Sequence, residues 1–216
     1  MRTLPFLVAL VLAGPATGGA WLREKGTGFL SYSGVYNEDG RLDGAVYLEY
    51  GFRPKLTLGA KVDIDMTDGR TGDGTVFVFG RKPLRTGERR YKLAYEVGIG
   101  STFGDDAEML LRTGLSYGRG ITLWDKNGWL AIDSAVEWAM QDGTDTTKLD
   151  ATFGLTLNDR FKVMMQAFVS HTDTSTTTTL APSVIWQRNK ETPSYQLGVE
   201  AKEGTYAIKL GVWRSF

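Results

Sequence analysis

Hydrophobic and polar residues alternate along most of this chain. Between positions 55 and 66, Leu56, Leu58, Ala60, Val62, Ile64 and Met66 share one parity, and Thr57, Gly59, Lys61, Asp63 and Asp65 the other. Successive side chains of a strand point to opposite faces, so the pattern predicts a two-faced strand of about 12 residues. Strands of globular domains average about 5–6 residues, whereas a strand crossing a bilayer needs about 9–11.

The same period recurs. Residues 91–103 set Tyr91, Leu93, Tyr95, Val97, Ile99 and Phe103 against Lys92, Glu96 and glycines, and residues 107–118 set Met109, Leu111, Leu115 and Tyr117 against Glu108, Arg112 and Ser116. Residues 128–140 oppose Leu130, Ile132, Val136, Trp138 and Met140 to Asp133 and Glu137; residues 147–157 oppose Leu149, Phe153 and Leu155 to Lys148 and Asp150. Residues 161–170, 194–202 and 205–216 place Lys162, Gln166, Glu200, Lys202 and Lys209 on their polar faces. Four segments are less regular. Residues 27–36 and 44–52 carry aromatics on both faces, residues 74–82 are apolar on both faces and have no assignable phase, and residues 179–187 contain Pro182, which removes a ladder hydrogen bond.

Twelve segments result, separated by turn-forming clusters such as Asp39 and Gly40, Pro54 and Lys55, Asp68 and Gly69, Gly104 to Asp106, Asp142 and Gly143, Asn158 and Asp159, and Glu203 and Gly204. Residues 119–127 are assigned to neither neighbouring strand, and residues 172–179 read as a polar loop. Residues 21–216 allow about 16 residues per strand and turn. Even spacing with dyad alternation is the pattern of an up-and-down transmembrane β-barrel. Aromatics of the apolar faces sort by height: Phe52, Tyr91, Tyr117, Phe161, Trp186, Tyr195 and Phe216 fall at one rim, Phe103, Trp138 and Tyr206 at the other. Two aromatic girdles mark two membrane interfaces; a soluble sandwich core has no reason to sort aromatics this way.

The first residues read differently. Met1 and Arg2 start positively, residues 4–13 are apolar apart from Pro5, and small residues follow up to Ala20. This is the layout of a secretory signal peptide cleaved after Ala20, with Ala16 the second choice, leaving residues 21–216 as one barrel domain. The apolar run is too short to span a membrane as a helix. Composition agrees. Glycine is abundant, 27 of 216 residues, cysteine is absent, and 25 basic residues balance 25 acidic ones, so no polyanion-binding patch or nucleic-acid partner is expected. Without disulfides, an exported chain depends on burial or on a membrane.

Phe216 ends the chain, preceded at alternate positions by Val212, Leu210, Ile208 and Tyr206, with Arg214 breaking the apolar alternation. This segment resembles the C-terminal sorting signal of bacterial outer-membrane β-barrel proteins, which implies recognition by the barrel-assembly machinery and a Gram-negative outer membrane as destination. Residues 20–28 resemble the start of small, poorly characterised, transporter-like members of those barrels, some found near aromatic-degradation pathways. That short likeness implies no substrate.

By phase, the lumen should hold the acids Glu49, Asp63, Asp65, Glu96, Glu108, Asp133, Glu137, Asp150 and Glu200. The bases expected there are Lys61, Lys92, Arg112, Lys148, Lys162, Lys202 and Lys209, with Arg81 undecided. A strongly ion-selective pore would show one sign. Balanced charge in a twelve-stranded barrel suits a narrow channel for small solutes or ions, or a closed barrel filled by paired side chains. No long loop is available as a plug. An outer-leaflet lipid hydrolase is the third reading, resting on His171, the single histidine, with Asp173 and Ser175 at the same phase. Asp63, Asp65 and Asp68 before Gly69 do not keep calcium-loop spacing, and no zinc, phosphate-loop or dinucleotide motif is present, so no metal and no cofactor is expected.

Overall fold

The computed structural model describes residues 19–67, 70–85, 90–104, 107–141, 143–189 and 191–216. Twelve strands follow in order: β1 (Gly28–Asn37), β2 (Leu42–Arg53), β3 (Leu56–Thr67), β4 (Arg70–Pro83), β5 (Tyr91–Phe103), β6 (Met109–Leu123), β7 (Lys126–Ala139), β8 (Thr146–Thr156), β9 (Phe161–His171), β10 (Thr176–Gln187), β11 (Ser194–Lys202) and β12 (Thr205–Ser215). Each pairs antiparallel with its neighbours in sequence, and β1 pairs with β12, giving an all-β, antiparallel, up-and-down closed barrel. Closure is completed by a reciprocal backbone pair: Gly28 N–H donates to the Phe216 carbonyl (2.7 Å) and Phe216 N–H to the Gly28 carbonyl (3.0 Å). A closed ladder leaves no strand edge, the condition for a sheet to sit in hydrocarbon, where an unpaired backbone group costs several kcal/mol.

The two faces are those the alternation predicts. Outward-facing Val78, Val97, Leu115, Leu197, Ile208 and Leu210 are each at least half exposed. A continuous apolar exterior of this kind would drive a soluble protein to aggregate, and fits contact with lipid tails. Tyr91 stacks on Tyr117 and Trp186 on Tyr195 at the end that carries both termini, while Tyr36 and Tyr206 stand exposed towards the opposite end.

The structure also fixes what the pattern left open or misplaced. In β4, Phe77, Phe79 and Arg81 are buried in the lumen, while Val76 and Val78 face outward. Residues 119–127 belong to the β6–β7 hairpin: Leu123 pairs with Lys126 across a two-residue turn in which Trp124 (φ 50°) and Asp125 (φ 58°) are both left-handed. Such a turn matches strand twist but normally carries Asn or Gly, so the sequence gives little warning of it. Thr176 to Thr179 are strand rather than loop. They pair with β9 from His171 to Phe168, and only residues 172–175 turn, closed by Thr172 N–H to the Ser175 carbonyl (2.8 Å). β-Branched threonines suit a pleated strand. The turn residues Asp68, Gly69, Asp105, Asp106 and Asp142, and residues 1–18 of the expected leader, lie outside the described residues.

Candidate functional site

Strand register sorts the lumen wall into rows of cross-strand neighbours. One row runs Glu49, Gly59, Phe79, Gly98, Arg112, Glu137 from β2 to β7. The adjacent row runs Thr57, Arg81, Glu96, Gly114, Ala135, Lys148 from β3 to β8. The first row alternates large residues with glycine as far as Arg112, and the second sets Gly114 and Ala135 between Glu96 and Lys148. A Cβ on Gly59 would fall inside the Phe79 ring, and one on Gly98 would press on the Phe79 backbone and Cβ. The glycines let long side chains lie flat along the wall and reach across to the next row.

What they reach is one another. Arg23 Nε meets Glu49 Oε2 at 2.6 Å, and Arg81 bridges Glu49 and Glu96, the latter at 2.5 Å. Arg112 in turn bridges Glu96 (2.9 Å) and Glu137, and Lys148 Nζ closes the series on Glu137 Oε2 at 2.8 Å. The result is a ladder of seven charges alternating in sign across half the barrel circumference. Glu49, Arg81, Glu96 and Glu137 are buried. Burying a charge is costly unless it is paired and hydrogen-bonded; here each interior member has a partner on both sides, and Tyr47 Oη also donates to Glu49 Oε1 (2.6 Å). The other half of the wall is mostly neutral. Gln196 Nε2 donates to Ser183 Oγ (3.0 Å), and Lys209 pairs with Glu200 (2.7 Å) over the Phe168 ring.

Between the halves lies a cavity of about 290 Å³, lined among others by Ser31, Lys61, Asp133, Asp150, Gln166 and Lys209. Asp133 and Asp150 sit directly opposite each other on β7 and β8, and neither has an ion-pair partner among the described residues. Lys61 is held by Asp63 at 2.7 Å.

Towards the termini end the lumen is apolar. Trp129, Met164 and Ile185 form a buried inward cluster, and Trp21 and Trp213 pack against it. Trp21 belongs to a lead-in segment, residues 19–26, that is part of no strand; Gly19 to Arg23 are buried or half-buried, and Glu24 to Gly26 are exposed. Arg23 N–H donates to Thr57 Oγ1 (2.9 Å), and the Arg23 guanidinium lies 4.6 Å from the centre of the Phe29 ring. The wall is cut to fit this segment: a Cβ on Gly118 would strike the Trp21 ring, and one on Gly51 the Arg23 and Glu24 carbonyls. The expectation of no inward plug concerned loops, and the insert is not a loop. The chain itself supplies the insert, ahead of the first strand, where reading by alternation sees no structure.

Of the expected lumen residues, Glu49, Glu96, Arg112, Glu137 and Lys148 join in the ladder, and Arg81 joins them. Lys61, Asp133, Asp150 and Lys209 line the cavity. Asp63 and Glu200 serve as partners to lysines. Asp65 and Lys202 are exposed at the far mouth, and Lys92 is exposed at the termini end. Lys162 lies near the termini-end floor in a small pocket with Trp213 and Thr192. Glu108 is placed differently from its expectation. Its carboxylate accepts N–H groups of Gln141 (2.9 Å) and Gly143 (3.0 Å), so it ties down a hairpin turn. Arg23, Tyr47 and the lumen aromatics were not anticipated. His171 Nδ1 lies 2.7 Å from Thr176 Oγ1 at the exposed far end of the β9–β10 hairpin. Among the described residues no three His, Cys, Asp or Glu side chains gather as metal ligands.

The barrel has the fold of the outer-membrane porins. The KdgM porin in complex with disordered oligogalacturonate superposes with a TM-score of 0.66 at 13% identity, covering 87% of this chain and 99% of that one. The NanC porin gives 0.59 at 10% identity, covering 85% and 98%. The COG4313 outer membrane channel from Pseudomonas putida F1 gives 0.54 at 13% identity, covering 91% and 97%. No family model matches the sequence. No curated protein matches it either.

Proposed function

We propose that this chain is an outer-membrane channel of narrow bore for small solutes or ions. The observation that carries the reading is a charged, polar cavity of about 290 Å³ inside a closed barrel whose exterior is apolar. A lumen built only for stability would be expected to pack dry, whereas this one keeps charged and amide groups around an unfilled space. The porins and the channel that share its fold support the same reading, and KdgM has been captured with an oligogalacturonate. With a leader removed after Ala20, the termini end faces the periplasm, Phe216 serves as the signal read by the assembly machinery, and the girdles contact outer-membrane lipid. Ser175, the hydroxyl named with His171 for the hydrolase, bonds to Thr172 Oγ1 (3.1 Å) while the imidazole meets Thr176, so that reading gains no support from the arrangement.

A closed structural barrel is the second reading, favoured by the buried ladder and the aromatic floor. Refolding the mature chain into liposomes and following osmotic swelling in sugars of graded size separates the two. Uptake that falls off steeply with solute size supports the channel. Liposomes that respond no faster than protein-free ones, with the barrel folded, reject it.

A further inference from the structure

We infer that the lead-in segment, residues 21–26, is a displaceable gate on the termini side of the lumen; this rests on the channel reading above. Three observations carry it. First, the segment is seated in a made-to-measure recess: Gly118 leaves room for the Trp21 ring and Gly51 for the Arg23 and Glu24 carbonyls. Second, its seating is not that of a strand. It is anchored by the Trp21 ring against the cluster of Trp129, Met164 and Ile185, by Arg23 on Glu49, and by Arg23 N–H on Thr57, then leaves the lumen through exposed Lys25 and Gly26 (φ 85°), where a Cβ would meet nothing.

Third, the wall is prepared for its departure. Glu49 is fully buried, and losing Arg23 would orphan a lone carboxylate. Here it keeps Arg81 on Oε1 and the Tyr47 hydroxyl at 2.6 Å, so the ladder from Glu49 to Lys148 stays paired without the segment. Trp129 Nε1, in the cluster that Trp21 packs against, is buried without a hydrogen-bond partner among the described residues. Both arrangements therefore satisfy the buried charges, as a two-state element requires. The apolar contact of Trp21 favours the closed one. A solute pressing from the cavity, or a periplasmic partner drawing on the exposed Lys25 side, must break that contact, the Arg23 ion pair with Glu49 and the Arg23 N–H bond to Thr57.

The test is single-channel recording of the mature chain beside Trp21→Ala and the Trp21→Ala/Arg23→Ala double variant, all verified as heat-modifiable folded barrels. Mean conductance several-fold higher in the variants, or brief openings in the parent becoming long-lived, supports the gate. Arg23→Lys should stay near the parent. Equal currents with equal dwell times in all three overturn the gate and leave the channel standing. Silence in all three overturns both.

Discussion

Arg81 is the member of the ladder whose loss should be felt most. It is buried and holds two carboxylates on different strands, Glu49 on β2 and Glu96 on β5. Removing one partner of a buried ion pair costs about 3–5 kcal/mol, because the other charge is left without compensation. In Arg81→Met two carboxylates are affected, but each keeps one guanidinium: Arg23 at 2.6 Å from Glu49 and Arg112 at 2.9 Å from Glu96. Two half-compensated losses bring the expected cost back to about 3–5 kcal/mol, roughly a hundred- to several-thousand-fold in the folding constant. Lys148→Met is the internal control. Lys148 ends the ladder, is 31% exposed, and leaves Glu137 paired with Arg112. Its loss should cost about 1 kcal/mol or less. Equilibrium unfolding in urea from lipid vesicles, read by tryptophan emission and gel mobility, measures both. A cost for Arg81→Met below about 1 kcal/mol, or no larger than that of Lys148→Met, would refute the argument that the ladder is a cooperative buried network.

Other perturbations test other layers. Gly154→Val puts a side chain where the Trp129 ring lies, and should destabilise by about 1–3 kcal/mol in the same assay, while Gly120→Val, with nothing within 4 Å of its Cβ, should change stability by less than about 0.5. Asp133→Asn with Asp150→Asn removes the cavity's two unpaired carboxylates and should shift the reversal potential in a salt gradient towards anions; an unchanged potential would mean that the pathway bypasses them. Glu96→Lys, by contrast, breaks the ladder and should be read as a stability variant rather than a probe of selectivity. His171→Ala should leave swelling rates unchanged, and any phospholipid hydrolysis by the parent that this variant lost would revive the hydrolase.

How much of this could be seen in the sequence follows from what alternation encodes. Parity along a single strand assigns a face, which is why the polar sides of β3, β5, β7 and β8 turned out to be lumen. It says nothing about which residue of the next strand stands opposite. The pairing of Glu49 with Gly59, and of Gly98 with Arg112, is a matter of register, and the ladder exists only once those rows are set. Glu96 and Arg112 were legible as lumen residues but not as neighbours. Where both faces are apolar, as with Val76 to Phe79, parity carries no information, and the lumen phenylalanines that cover the glycines went unseen. The insert escaped for a related reason. Residues 21–26 have no period, and Trp21 and Arg23 gain meaning only from the buried cluster and the Glu49 they meet. The abundance of glycine was legible from the start, and part of it is now explained by aromatic rings lying across Gly59, Gly100 and Gly154.

The central claim is that the space between the ladder and the neutral wall conducts. Single-channel recording from the mature chain refolded into a planar bilayer addresses it most directly. The account predicts discrete current steps of small conductance with weak ion preference. A folded, heat-modifiable barrel that inserts and passes no current, with the insert present or with Trp21 and Arg23 replaced by alanine, would contradict it.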